Sequence, residues 1–392
     1  MAATLLDVAS LRATVERRFP VYDVQYDPNI VTFYVSVDPA TLEPQFEALR
    51  EELRRQQLLP LLKYQGGEHA LFIVEKPERK PPRKSVNLLL FLLTWVTTTT
   101  AGAAMYFSYA NANLDQGAYT FGEWWGLMFS PMNFLWGFVF FAFPLMLILG
   151  VHEMGHYYMT RKHGMDATLP YFIPVPPFFT LPIGTMGAFI SMREPIPNRK
   201  ALLDIGASGP IAGFVVAVPV ILAGLFLMKF DGPVIVTGDA ASGESLSLGL
   251  PLLYQLLQMP FGFSESQMIH PTAFAGWVGL FVTAINLLPA GQLDGGHIAS
   301  ALLGDKARYL SYGAMATLIL LGFGIPFLPP EWGLTAGYSG WLIFALLIAF
   351  MGLRHPPTLN GITPLDRKRQ IWAWITFSLI LLCFTPVPIS GG

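Results

Sequence analysis

Charged residues are scarce in this sequence. Asp, Glu, Lys and Arg make up 13% of the 392 residues, about half the share found in soluble domains, while 53% of the residues are hydrophobic. The formal net charge is −2, so the charge balance gives no reason to expect a nucleic-acid partner. The composition is instead that of a membrane protein, and we expect a lipid bilayer to surround it.

Cysteine is nearly absent as well. The single cysteine, Cys383, lies in an apolar segment. One cysteine excludes a disulfide within the chain and a zinc site built from cysteines. The first residues also lack the basic start and the long apolar stretch of a cleavable signal peptide, so we expect none.

The first 75 residues differ in pattern from the rest of the chain. Their segments follow the order helix, strand, strand, helix, strand, strand, which predicts a small α+β domain of order αββαββ. We expect this domain to be soluble and cytoplasmic. The strands are predicted at 21–26, 30–37, 61–65 and 70–74, and the second helix at 41–57.

A basic, proline-rich linker is predicted at 76–85, where five of the first nine residues are Lys or Arg and three are Pro. The linker is open to two interpretations. It is a solvated hinge, or it is a juxtamembrane cluster that holds the start of the next helix in the cytoplasm. We favour the second, because an apolar segment follows directly.

Residues 86–392 are predicted to form a mainly α-helical, polytopic membrane domain of about seven transmembrane helices. Basic residues gather in alternate connections, which places the N-terminus in the cytoplasm and the C-terminus on the opposite side. We expect a multi-pass protein of a bacterial cytoplasmic membrane. The apolar segments are 86–109, 132–158, 203–228, 272–289, 309–328, 337–353 and 371–388.

The second apolar segment ends in the pattern H-E-x-x-H, formed by His152, Glu153 and His156. On a helix, residues four apart share one face, so both imidazoles can reach the same ion. Two neutral imidazoles suit Zn²⁺, and the adjacent carboxylate suits removal of a proton from water. Polar side chains inside an apolar segment are costly, so these three residues indicate a functional site near the cytoplasmic end of the segment.

The end of the fourth apolar segment offers the rest of such a site. A catalytic zinc usually has three protein ligands, and Asp294, beside two glycines, is the favoured third ligand. His297 is the competing candidate. Asn286 either holds substrate or an oxyanion through its amide, or makes a hydrogen bond between helices. The third segment carries small residues at 206, 209 and 213, for which we expect a packing role.

The connection 163–200 is apolar and rich in proline, so it is neither a continuous helix nor a water-exposed loop. We predict a re-entrant, β-like loop in which 184–191 is a strand. Gly184 and Gly187 are the candidate residues of an edge that could pair with an extended substrate. The alternative is an amphipathic loop lying on the lipid headgroups.

Three motifs together resemble the site-2 protease family of intramembrane zinc metalloproteases: H-E-M-G-H, S-G-P-I-A-G, and N-L-L-P-A-G-Q-L-D-G-G. The segment G-T-M-G-A-F resembles the branch found in cyanobacteria, other bacteria and plastids. The resemblance covers about 130–300, the expected catalytic core. No PDZ-like segment lies between the motifs.

The resemblance implies one Zn²⁺ per chain, held by His152, His156 and Asp294, with Glu153 as general base and Asn286 near the substrate. It implies hydrolysis of peptide bonds within or next to transmembrane segments, and a single-span membrane protein as substrate. Two other functions stay open from the residues themselves: a metal-ion transporter, and a catalytically inactive membrane scaffold of the same family.

Overall fold

The computed structural model describes residues 7–27, 30–77, 81, 83–112, 120–176, 183–231, 246–263, 267–325 and 337–391. Part of the predicted linker, at 78–80 and 82, lies outside these residues. So do large parts of the connections predicted to lie opposite the cytoplasm, at 113–119, 232–245, 264–266 and 326–336.

The N-terminal part has the predicted order of elements. Its sheet is antiparallel throughout, with the strand order β1-β2-β4-β3. The second helix carries apolar residues at helical spacing, and Phe46, Leu49 and Leu53 are buried in the core of this domain. The elements are α1 (Val8–Glu16), β1 (Val21–Asp27), β2 (Ile30–Val35), α2 (Leu42–Arg55), β3 (Leu58–Gln65) and β4 (Glu68–Glu75).

Each of the seven predicted apolar segments contains a helix. The remaining helices are α3 (Lys84–Ala110), α4 (Phe121–Met128), α5 (Pro131–Gly137), α6 (Phe143–Lys162), α7 (Arg199–Asp231), α8 (Leu252–Gln258), α9 (Pro271–Asn286), α10 (Asp294–Leu303), α11 (Ala307–Phe323), α12 (Gly340–Met351) and α13 (Arg367–Cys383). A π-helical turn, Phe138–Ala142, joins α5 to α6.

Among the described residues, three helices are long and apolar enough to cross a membrane. They are Lys84–Ala110, Pro131–Lys162 and Arg199–Phe230. The helices in the other four predicted segments have 12 to 17 residues, fewer than the ~20 that a bilayer needs. The structure therefore supports a membrane protein with three candidate spans, and seven spans stay a prediction.

Small residues bring α6, α7 and α9 close together. A Cβ atom at Gly155 of α6 would lie 2.8 Å from the carbonyl oxygen of Ser208 on α7, and one at Gly279 of α9 would lie 3.0 Å from the side chain of Ile148 on α6. Such close approach is how helices gain packing energy where a hydrophobic driving force is weak. The result is a closely packed core of three helices, one of which, α6, carries the H-E-x-x-H motif.

The connection between α6 and α7 forms a two-stranded antiparallel sheet. It consists of β5 (Tyr171–Pro174) and β6 (Thr185–Phe189), and β6 lies within the predicted strand 184–191. The side chain of Asn87 on α3 donates hydrogen bonds to the carbonyl oxygens of Leu169 and Pro170, at 2.7 and 3.1 Å. Residues 177–182 lie outside the described part. A last sheet pairs β7 (Leu246–Leu248) with β8 (Ile389–Gly391).

The N-terminal domain is docked on the helical part by backbone contacts and by ion pairs. The N–H of Leu62 in β3 donates to the carbonyl oxygen of Leu359 at 2.7 Å, and the Leu359 side chain lies in the core of the N-terminal domain. The Lys76 ammonium lies 2.6 Å from Glu194, and Lys200 lies 2.6 Å from Glu43.

Glu194 lies at the centre of this junction. Burial opposes its ionisation, but the ammonium of Lys76 and the guanidinium of Arg54 outweigh this and hold the pKa of the carboxyl below its ordinary value. The carboxylate is therefore charged at neutral pH, and it joins residues of α2 and of the chain after β4 to the connection that carries β5 and β6.

Candidate metal centre

The two histidines of α6 point into the helical core from one face. His152 and His156 are buried, and their Nε2 atoms lie 3.1 Å apart. The Nδ1 of His156 lies 2.8 Å from the carbonyl oxygen of Ile205 on α7. Because a carbonyl oxygen only accepts, Nδ1 must carry the proton, which leaves the Nε2 lone pair of His156 free for a metal.

Asp294 reaches the same point from the first turn of α10. Its Oδ2 lies 3.3 Å from the Nε2 of His152 and 3.2 Å from the Nε2 of His156. Gly295 follows directly, and a Cβ atom there would overlap the carbonyl oxygen of Leu287. The glycine after Asp294 thus allows the chain to turn back tightly from α9 into α10.

The three ligand atoms form a triangle of the size that a tetrahedral metal requires. Bonds of about 2.0–2.2 Å at tetrahedral angles separate neighbouring ligand atoms by roughly 3.3–3.6 Å, slightly more than in the structure. The observed separations are 3.1, 3.2 and 3.3 Å. This is the one group of three or more potential metal ligands within the described ranges. Two imidazoles and one carboxylate fit zinc, with the fourth position open.

Glu153 is buried beside this group without belonging to it. Its carboxylate interacts electrostatically with His156 and Asp294, and the backbone amide of Ile190, directly after β6, lies next to it. A buried carboxylate near a metal position and off the ligand set can accept a proton from water. The amide of Ile190 also links this carboxylate to the end of β6.

Asn286 is the last residue of α9 and faces the centre. Its Nδ2 lies 3.3 Å from the Nε2 of His152. The side-chain amide is therefore within reach of a group bound at the metal position. The geometry fits the predicted role near substrate, and it also provides a contact between α9 and α6.

His297 lies one turn after Asp294 on α10 and points away from the other two histidines. Its Nδ1 lies 2.7 Å from the Nε2 of His355, and its Cβ lies close to Gly206 of α7. The structure therefore brings Asp294, not His297, to the metal position. The contact with His355 had no signal in the sequence, since 58 residues separate the two histidines.

Two glycines of α7 make room for the two metal-binding imidazoles. A Cβ atom at Gly209 would overlap the Nε2 of His156, and one at Gly213 would lie 3.1 Å from the Nδ1 of His152. The sequence predicts a packing role for these small residues. In the structure, the groups that pack against Gly209 and Gly213 are the two metal-binding imidazoles.

We expect Gly209→Ala to lower zinc affinity about 10–100-fold, since the added methyl group displaces the His156 ring from the triangle. Zinc content after dialysis against buffered zinc measures the change. Gly150→Ala on α6 is the matched control, because nothing lies within 4 Å of a Cβ atom there. Equal zinc content in both variants would contradict the assigned role of Gly209.

The two candidate substrate-strand glycines differ in their surroundings. Gly184 directly precedes β6, and a Cβ atom there would overlap the carbonyl oxygen of Thr97 on α3. Gly187 lies within β6 at a φ of 100°, with nothing within 4 Å of a Cβ position. β6 pairs with β5 along one edge, and its other edge has no strand partner among the described residues.

Comparisons with known proteins give one family and a set of relatives. Residues 140–325 match the model of peptidase family M50. The Arabidopsis thaliana protein named "Probable zinc metalloprotease EGY2, chloroplastic" is 30% identical over 247 residues, which are 62% of this chain and 41% of the relative. "Probable zinc metalloprotease EGY1, chloroplastic" of the same plant is 28% identical over 369 residues, 83% of this chain and 62% of the relative.

The EGY2 protein of Oryza sativa subsp. indica is 35% identical over 178 residues, 45% of this chain and 32% of the relative. In these three comparisons the match spans 32% to 62% of the relatives' length. No solved structure gives a significant match. The names of these relatives place them in the chloroplast, so the comparisons do not support the expected location in a bacterial cytoplasmic membrane.

Proposed function

We propose that this chain, whose residues 140–325 match the M50 peptidases or site-2 proteases, hydrolyses peptide bonds within or next to transmembrane segments of other membrane proteins. The family resemblance inferred from the sequence motifs is confirmed by the match and by the relatives. The observation that carries the proposal is the triangle of His152, His156 and Asp294 beside a buried Glu153. The substrate would be a single-span membrane protein, and the process regulated intramembrane proteolysis.

In the proposed mechanism His152, His156 and Asp294 would hold a zinc ion, which would act as a Lewis acid on the scissile carbonyl. Glu153 takes a proton from the attacking water as the new C–O bond forms. It then delivers the proton to the nitrogen of the breaking C–N bond, so that an amine leaves. The amide of Asn286 donates a hydrogen bond to the developing oxyanion.

A helical substrate must unwind before cleavage, since its carbonyl groups are hydrogen-bonded within the helix. We propose that the free edge of β6 binds the unwound segment as an added strand. Two observations support this position: the edge has no strand partner among the described residues, and the backbone amide of Ile190 at its end lies beside Glu153. A peptide on β6 would thus lead toward the general base.

We also propose that the N-terminal domain and the site lie on the cytoplasmic side. Arg161 and Lys162 end α6 within two turns of His156, and Lys84 begins α3. Basic residues at these helix ends follow the positive-inside rule. In this orientation the metal centre would lie near the cytoplasmic face of the bilayer.

Reconstitution with a single-span substrate in proteoliposomes tests the proposal. We expect cleavage inside or next to the span, located by mass spectrometry of both products. A zinc chelator should abolish it, and added zinc should restore it. Zinc flux into the vesicles without any cleavage would support the transporter alternative instead. One observation argues against that alternative. A transport path needs several groups of metal ligands across the membrane, and the described residues contain a single such group.

We expect Ala188→Pro to lower cleavage of the membrane substrate about tenfold or more, because the Ala188 N–H lies on the edge of β6 away from β5 and proline removes it. Zinc content should not change. Ala188→Ser is the matched control, since it changes the same position but keeps the backbone N–H that strand pairing uses. Equal activity of the two variants would show that β6 does not bind the substrate.

A further inference from the structure

A cavity of about 960 Å³ lies where the N-terminal domain meets the helical part, apart from the metal centre. Its wall is built from β3 with the turn that follows, from the region where α10 ends and α11 begins, and from the connection 353–362. The volume is at the upper end of that typical for small-molecule sites. No role for this cavity follows from the proposed proteolysis.

The cavity is lined by four Lys or Arg side chains and by one carboxylate. The cations are Lys63, Arg199, Arg308 and Arg354, and the carboxylate is Asp305. None of the four cations forms an ion pair with a carboxylate in the part of the chain that the structure describes. An anion bound in this space would be attracted by several cations, whereas Asp305 is the one carboxylate among the described residues of the wall that offsets their charge.

Several other cations near the junction do have carboxylate partners. Lys76 and Arg54 are paired with Glu194, Lys200 with Glu43, and Arg369 with Asp204. The pairs of Lys76, Arg54 and Lys200 stabilise the docking of the two parts, whereas the pair of Arg369 joins α13 to α7. The four cations of the cavity wall have no carboxylate partner among the described residues.

The four cations also differ in how free they are to bind. Arg199 donates to the carbonyl oxygens of Ala301 and Leu302 at 2.7 Å each, so it caps the C-terminal end of α10. Arg308 lies over the ring of Tyr309 and donates to its hydroxyl oxygen. Both contacts keep the positive charge, and neither replaces an anion.

We propose that this cavity binds a phosphate-bearing ligand between the N-terminal domain and the helical part. Guanidinium groups match phosphate oxygens in geometry and charge, and Lys63, whose ammonium lies 5.8 Å from the centre of the Phe72 ring, adds a point charge from the N-terminal domain. The source of the phosphate is either the headgroup of an anionic phospholipid or a soluble phosphate compound. Both carry the phosphate group that the cationic side chains of the cavity would bind.

Such a ligand would bridge two parts of the chain. Lys63 belongs to β3 of the N-terminal domain, whereas Arg308 and Arg354 belong to the helical part. His355, also in the cavity wall, contacts His297 on α10, the helix that begins with Asp294. The phosphate therefore strengthens the docking of the N-terminal domain on the segment that supports the metal centre.

The test uses the full chain in detergent and two phosphate probes. Inorganic pyrophosphate is titrated by calorimetry, and phosphatidylglycerol is titrated by native mass spectrometry against phosphatidylcholine. We expect binding of at least one anionic probe, and the double variant Lys63→Ala/Arg354→Ala should weaken it about tenfold or more. Arg55→Ala/Lys368→Ala removes two exposed cations outside the cavity wall and should leave binding unchanged.

Binding of pyrophosphate supports a soluble phosphate ligand, and selective binding of phosphatidylglycerol supports a lipid headgroup. If the double variant does not fold, Arg308→Gln takes its place with the same expected loss. The proposal is overturned if neither anionic probe binds, or if the cavity variant binds as tightly as the control variant. These readouts do not depend on proteolytic activity, so they are independent of the function proposed above.

Discussion

Glu153→Gln should retain zinc and lower the rate of substrate cleavage by about 10²–10⁴-fold, the contribution typical of a general base. The amide has nearly the same size as the carboxylate, so the buried position beside His156 and Asp294 stays filled. It cannot accept the proton from water, and it cannot return a proton to the leaving amine. Cleavage in proteoliposomes and zinc content by mass spectrometry are measured on the same preparation.

The control for this experiment is Glu123→Gln. Glu123 lies in α4, where it takes part in a capping box with Thr120, and it has no contact with the metal centre. We expect near-normal cleavage from that variant. A Glu153→Gln enzyme that still cleaves at the wild-type rate would remove Glu153 from the mechanism. A variant that has lost zinc would show that Glu153 is a ligand or a structural support instead.

Asp294→Ala should remove both zinc and activity. The carboxylate is one of three ligands, and its Oδ2 is within 3.3 Å of both histidine Nε2 atoms. Without it, two imidazoles alone face a metal that needs three protein ligands to be held firmly. We expect zinc content after dialysis to fall to background and cleavage to fall with it.

His297→Gln is the matched comparison, because it changes the other candidate ligand on the same helix. The His297 ring contacts His355 and stays outside the metal-binding triangle, so this variant should keep its zinc. The reverse outcome, with zinc lost from His297→Gln and kept in Asp294→Ala, would contradict the ligand set and favour the alternative that the sequence left open.

Much of the local structure could be predicted from the sequence. Period-2 and period-3.6 patterns are properties of neighbouring residues, so the order of elements in the N-terminal domain and the positions of the seven apolar helices followed from them. Helix lengths were less predictable. α9 ends at Asn286, three residues before Pro289, and at 16 residues it is shorter than the predicted segment 272–289.

The sequence favoured Asp294 over His297 as the third ligand but did not exclude His297, because both lie on one helix within a single turn and either could ligate zinc. The choice depends on how α10 is rotated against α6 and α7, and close packing at Gly206 and Gly295 sets that rotation. The sequence likewise gave no sign that Leu359 completes the core of the N-terminal domain.

The sequence by itself therefore indicated the membrane character of this protein, its resemblance to the M50 peptidases and the H-E-x-x-H half of its metal site, because each depends on composition or on residues a few positions apart. Tertiary structure alone showed that Asp294 rather than His297 meets the two histidines, which glycines leave them room, and that four cations line one cavity. These features bring together residues more than 40 positions apart, and only the packing of whole helices and sheets sets their distances.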